Sequence, residues 1–230
     1  VRSRIAVLAS GGGSNMQAVL DHFARLGNAR GGDVVVVASD RAAAGALTRA
    51  RGAGIAAEAL ASPSDAAELK SLLERHAVDM IALAGYLKLV PREVVARYEQ
   101  RIVNVHPALL PAFGGPGMYG RRVHQAVLDS GATVSGATVH FADQEYDHGK
   151  IIAQWPVPVR PGDDAASLAA RVLRVEHLLY PRVLDALAAG RITVSSCRLP
   201  LSAGDAAFTL RPSDAEDTCL ANEIEHALGC

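Results

Sequence analysis

Hydrophobic positions in the first hundred residues fall into short runs separated by longer amphipathic stretches. Ile5 to Leu8, Val34 to Ser39, Met80 to Ala84 and Ile102 to Val105 are apolar and rich in β-branched residues, which predicts strands buried on both faces. Between them, Asn15 to Arg25, Ala43 to Arg51, Ser64 to His76 and Pro91 to Tyr98 carry helical spacing, the last with proline in the first turn, where its missing N–H is tolerated. This alternation predicts an α/β fold with a doubly wound, mostly parallel sheet. After Val105 the pattern changes: Thr133 to Phe141 and Ile151 to Val159 are β-rich stretches flanking a polar segment, Ala142 to Lys150, and read as an antiparallel C-terminal addition. From Asp164 to Ala189 an amphipathic run predicts a long helix stopped by Gly190, with Pro181 expected to kink it.

Residues 1–193 are expected to form one catalytic unit. Beyond Val194, six acidic residues stand against two arginines. Residues 194–230 are expected to be an acidic appendage of unknown role, with a strand near Phe208 and a helix ending near Leu228.

Half of the 230 residues are hydrophobic and 20% are charged, enough to bury a sizeable core and to exclude disorder as the main state. The net charge of -1 lacks the basic field that a nucleic-acid binder uses against phosphates, so small molecules are the expected partners. Cys197, Cys219 and Cys230 show neither zinc spacing nor a disulfide framework, which suits a reducing cytoplasm. The first residues run into a strand-like stretch with no signal-peptide core, and the longest apolar stretch, Met80 to Val90, contains Lys88 and is too short for a bilayer. Neither export nor membrane insertion is expected.

Two places carry candidate chemistry. Ser10-Gly11-Gly12-Gly13-Ser14-Asn15 lies between the first strand and first helix, where free N–H groups and the helix dipole favour an anion. Ser14 and Asn15 add donors and are candidate caps. A tight turn without a ligand explains the glycines as well. Met16 stands where a dinucleotide fingerprint needs a small residue, and no lysine ends the loop as in a Walker A motif, so a phosphate monoester is the favoured ligand.

Further along, Asn104 and His106 sit two apart at the C-terminal end of a buried strand and share a side of it, where open parallel sheets collect ligands. Should Asp147 of Asp143-Gln144-Glu145-Tyr146-Asp147 fold back beside His106, its charge would favour the imidazolium while burial opposes it, as suits a general acid–base. From the residues alone, a structural Asn–His pair and a solvated acidic turn account equally for these features. The other histidines form no ligand pair on a helical face, and no catalytic metal is expected. Nor is there a nucleophile elbow, so a covalent nucleophile is not expected.

In order along the chain, Ser10-Gly-Gly-Gly-Ser-Asn15, Leu83-Ala-Gly-Tyr-Leu-Lys-Leu-Val90, Asn104-Val-His-Pro-Ala-Leu-Leu-Pro111, Gly136-Ala-Thr-Val-His-Phe141, Asp147-His-Gly-Lys-Ile-Ile-Ala-Gln154 and Glu176-His-Leu-Leu-Tyr-Pro181 resemble the phosphoribosylglycinamide formyltransferase family of purine synthesis. The resemblance spans Ile5 to about Ile192. It implies formyl transfer from 10-formyltetrahydrofolate to the amine of glycinamide ribonucleotide, by direct attack, with Asn104, His106 and Asp147 as catalytic residues. It further implies that Gly13, Ser14 and Asn15 hold the substrate phosphate and that Glu176 contacts its ribose. Leu87, Lys88, Leu89 and Val90, with Asp143, Gln144, Glu145 and Tyr146, would line the folate site. The implied enzyme is a cytoplasmic monomer or homodimer.

Three features depart from the family pattern. Ala61-Ser-Pro-Ser-Asp-Ala66 offers no counterpart to an arginine used near folate by some members, Gly114 to Gly120 is longer than the form many members have, and the acidic tail is extra. Two alternatives within reach of the sequence are a formyltetrahydrofolate hydrolase and a non-catalytic nucleotide-sensing module. Val105-His106-Pro107, in place of the His-His-Ser usual in the hydrolases, and the immediate start at the first strand favour transfer. A methionyl-tRNA formyltransferase would need a larger, basic C-terminal domain.

Overall fold

The computed structural model describes residues 1–192 and 215–229. Seven strands form one sheet: β1 (Ser3–Leu8), β2 (Gly32–Ser39), β3 (Ala56–Ala59), β4 (Met80–Leu83), β5 (Ile102–His106), β6 (Val134–Phe141) and β7 (Ile151–Pro158), in the order β3-β2-β1-β4-β5-β6-β7. β1 to β5 are parallel, whereas β6 pairs antiparallel with β5 and β7 antiparallel with β6. The expected doubly wound sheet with an antiparallel addition is what the chain forms. The strand expected near Phe208 lies outside the described residues.

Helices α1 (Ser14–Leu26), α2 (Gly45–Gly52), α3 (Ala66–Arg75), α4 (Arg92–Arg97), α5 (Arg121–Asp129) and α6 (Ala165–Ala188) flank the sheet, and α7 (Ala215–Leu228) follows. The strands' period of two sorts their side chains into two cores. Ile5, Val7 and Ala9 face a cluster built with Met16, Val19 and Phe23 of α1 and Val175, Leu179 and Val183 of α6. Ala6 and Leu8 face the opposite cluster, with Leu69, Leu72 and Leu73 of α3 and Val94 of α4. Both faces of β1 are therefore covered, which is why its apolar run is continuous.

Pro91 stands just before α4 as its N-cap rather than inside the first turn. α6 begins at a capping box, in which Asp164 accepts from the Ala166 and Ser167 N–H groups and Ser167 Oγ accepts from Asp164 N–H. It continues as a single helix through Pro181, whose missing N–H leaves the His177 carbonyl without its helical donor. Tyr180, fully buried on α6, points its hydroxyl at the carbonyls of Leu83 and Val103, 3.0 Å from each. One side chain thus ties α6 to the last residue of β4 and to β5 one residue before Asn104. Beyond α6, α7 packs against it with Ile224 and Leu228 in the core.

Candidate active site

At the turn from β1 to α1, Gly13 is the N-cap residue with φ 78°. That left-handed backbone favours glycine, and a methyl group there would stand 2.7 Å from Ala46 Cα. Ser14 and Asn15 do not cap the helix: they are its first two residues, and no side chain bonds to its opening N–H groups. Those donors keep their capacity for an anion, together with the positive end of the dipole. Asn15 instead donates through Nδ2 to Glu176 Oε2 at 2.6 Å. The residues expected at the phosphate and at the ribose thus meet. Burial pushes the Glu176 carboxyl up from its ordinary range, against the Asn15 hydrogen bond and the charge of His106 nearby.

The second cluster forms where β5 ends. Cross-strand register sets Asn104 opposite His140 and His106 opposite Thr138 on β6. Asp147, from the loop between β6 and β7, returns to them: its Oδ1 lies 3.4 Å from His106 Nδ1, 3.4 Å from Asn104 Nδ2 and 3.7 Å from His140 Nε2. Its Oδ2 accepts from Gly115 N–H at 3.0 Å. Burial pushes the Asp147 carboxyl up, but the hydrogen bond and charge of His106 and the Gly115 N–H outweigh it and hold the group well below the usual carboxylate range. Asp147 has φ 56°, a conformation that Asp and Asn adopt more readily than most residues.

His106 is buried, and its Nε2 donates to the Phe113 carbonyl at 2.9 Å. Both ring nitrogens therefore face oxygen acceptors, an arrangement that only the imidazolium satisfies with two donors. His140 Nδ1 donates to its neighbour's carbonyl, Phe141 O, at 2.9 Å, which leaves Nε2 to accept from Asn104 Nδ2 at 3.0 Å. Thr138 donates to Ala108 O and accepts from Leu110 N–H and Gln154 Nε2, so it holds the turn that follows His106. The Leu110–Pro111 bond in that turn is cis. Gly114 passes so close to Asp147 that an added methyl would stand 3.1 Å from its Cβ and 2.6 Å from Leu110 Cδ2.

His140, Thr138 and Gln154 were not among the expected site residues. Their signal was present: Thr138 and His140 are polar positions two apart in an apolar strand, the same pattern as Asn104 and His106. What the pattern lacked was the register that puts the two pairs face to face.

A cleft of about 550 Å³ opens beside this centre, lined by Ser64, Lys88, Leu89, Val90, Pro91, Arg92, Gln144, Glu145 and Tyr146. Six of the eight positions expected at the folate site line it. The other two do not. Leu87 gives its N–H to Ser10 Oγ, and Asp143 turns its carboxylate onto its own loop, accepting from Glu145 N–H and from His148 Nδ1. Arg92, which was not expected, bridges the rims by donating from Nε to Gln144 Oε1 at 2.8 Å. Among the described residues no group of His, Cys, Asp or Glu has the arrangement to hold a metal ion, and no helix is long and apolar enough to cross a membrane.

A glycine turn, an Asn–His–Asp cluster at the end of β5 and a neighbouring cleft thus lie together on one mixed sheet, in a chain that matches the formyl transferase family. The chain is a member of that family, whose model matches residues 3–184. Among its relatives, phosphoribosylglycinamide formyltransferase of Escherichia coli (strain K12) is 40% identical over 82% of this chain and 88% of its own length. The chloroplastic phosphoribosylglycinamide formyltransferase of Vigna unguiculata is 44% identical over 87% of this chain, which spans 65% of that relative's length. The glycinamide ribonucleotide transformylase 1 structure from Symbiobacterium toebii superposes with a TM-score of 0.77 at 41% identity, covering 85% of this chain and 92% of that one.

Proposed function

We propose that the protein transfers the formyl group of 10-formyltetrahydrofolate to the amine of glycinamide ribonucleotide, in purine biosynthesis. The observation that carries this reading is convergence: the uncapped start of α1, the Asn104–His106–Asp147 cluster and the Lys88-to-Tyr146 cleft share one edge of the sheet. A phosphorylated amine and a large formyl donor need such neighbouring sites. In this reading the protein is a cytoplasmic monomer or homodimer, residues 1–193 are its catalytic unit, and its partners are small molecules.

The substrate's amine attacks the formyl carbon, forming a C–N bond and a tetrahedral oxyanion. His106 Nε2–H, which points at Phe113 O, is the donor the oxyanion takes over, and Asn104 Nδ2 is the second. Such donors contribute a few kcal/mol each in the transition state. Asp147 holds the imidazolium by its Nδ1 side and stays ionised while doing so. The bond from the formyl carbon to folate N10 then breaks, the amine's proton ends on N10, and the products are the formylated amide and tetrahydrofolate.

One assay separates this reading from its alternatives. Enzyme is mixed with 10-formyltetrahydrofolate, with and without glycinamide ribonucleotide, and folate deformylation is followed by absorbance. Turnover that requires the amine is expected. Turnover without it would make the protein a hydrolase, and none under either condition would make it a sensor. His106→Ala is expected to lower kcat by about 10²- to 10⁴-fold while changing the affinity for the ribonucleotide little; near-normal turnover would remove His106 from its role.

A further inference from the structure

Helix α7 lies beyond the residues matched to the family, yet it is built into the core. Ile224 is fully buried, and it and Leu228 join the cluster that holds Val19 and Phe23 of α1 and Leu179 and Val183 of α6. Polar contacts fasten it: Arg182 Nη2 on α6 donates to Glu223 Oε2 at 2.6 Å, and Arg160 Nη2 donates to the Leu228 carbonyl. Beneath them sits His22 of α1, buried, accepting from Arg25 Nη2 at Nδ1 and facing Arg182 and Asp185 of α6 and Glu223 of α7.

α1 and α6 run side by side in the same sense, and their seam has two polar ends. At one end is the Asn15–Glu176 hydrogen bond. At the other, two turns along α1 on the same face, is His22 with Arg182 and Asp185. Asp185 is itself occupied, accepting from Gly31 N–H and from Arg191. Between the two ends lie Val19, Leu179 and Val183. α7 covers the far end of the seam whose near end is the candidate phosphate and ribose site.

We propose that α7 is a positioning element for that site, with Glu223 and Ile224 as its positioning residues. Docked on α6, it keeps α6 pressed against α1 and so keeps Glu176 on Asn15. This rests on the reading of Gly13, Ser14 and Asn15 as the phosphate site. A helix serving stability alone would lower the melting temperature when damaged and leave substrate use untouched.

The test uses the full chain with Glu223→Ala and Ile224→Ala, assayed well below their melting temperatures. The KM for glycinamide ribonucleotide is expected to rise about three- to tenfold, the scale on which residues remote from a ligand alter its binding, with kcat and the KM for 10-formyltetrahydrofolate unchanged. Combining Arg182→Glu with Glu223→Arg should bring the KM back toward the wild-type value. Independently of activity, amide hydrogen exchange at residues 14–17 should quicken in Ile224→Ala. A lowered melting temperature with unchanged KM and unchanged exchange at residues 14–17 would overturn the proposal. A wild-type protein that ignores the ribonucleotide would instead sink the functional reading, and the exchange measurement would still decide the role of α7.

Discussion

Asp147 carries three duties on two oxygens. One oxygen faces the His106 ring and the Asn104 amide, the other takes the Gly115 N–H, and the backbone beneath them is left-handed. Asp147→Asn separates these duties, because asparagine adopts that backbone and can still accept from Gly115, but it carries no charge to hold an imidazolium. We expect kcat to fall by about 10²-fold or more with the fold and the ribonucleotide KM retained; circular dichroism beside steady-state kinetics checks it. None of this was legible locally. Asn104 and His106 declared themselves by spacing, but Asp147 lies in a polar loop that reads as any acidic turn until β6 and β7 bring it back. The ordered family motifs, not the residues' own pattern, joined the three.

Elements were legible where burial is two-sided and obscure where it is not. The apolar runs of β1, β2, β4 and β5 announced strands because helices cover both faces of the sheet. β3 escaped notice: Ala56-Ala-Glu-Ala59 has little strand propensity, lies at the sheet's edge, and takes its conformation from pairing with Val36 to Ser39. α5 escaped too, since only Val123, His124 and Val127 of its nine residues are buried and glycines precede it. Elements are also tied together by single groups that sequence does not announce, of which the Tyr180 hydroxyl is the plainest. Tyr180→Phe removes the donor from the carbonyls of Leu83 and Val103 while keeping the ring. A loss of about 1–3 kcal/mol is expected, read as a lower denaturant midpoint at unchanged slope.

For the molecule as a whole, acid is the predictable stress. Burial, above all, pushes both His22 and His124 down from 6.5 to about 4, with Arg182 adding to the effect on His22 and His106 to that on His124. The native state favours the neutral rings, so their contribution is complete above pH 6.5 and is lost as pH falls from 6.5 toward 4, where the unfolded chain binds the protons and the native one does not. Each shift amounts to at most about 3 kcal/mol. Urea midpoints should fall through that window, and the pair His22→Gln with His124→Gln should flatten the slope; a wild-type profile level between pH 6.5 and 4 would contradict the assignment.

The Asn15–Glu176 bond spans 161 residues of chain, from the start of α1 to α6. Chains emerge from the ribosome N-terminus first, and contacts of such separation form late. The glycine loop is therefore made early but has no partner for Asn15 until α6 has emerged, so an incomplete chain holds only part of the site. Under the proposed function, substrate capture would then be reserved for molecules whose synthesis has passed Glu176.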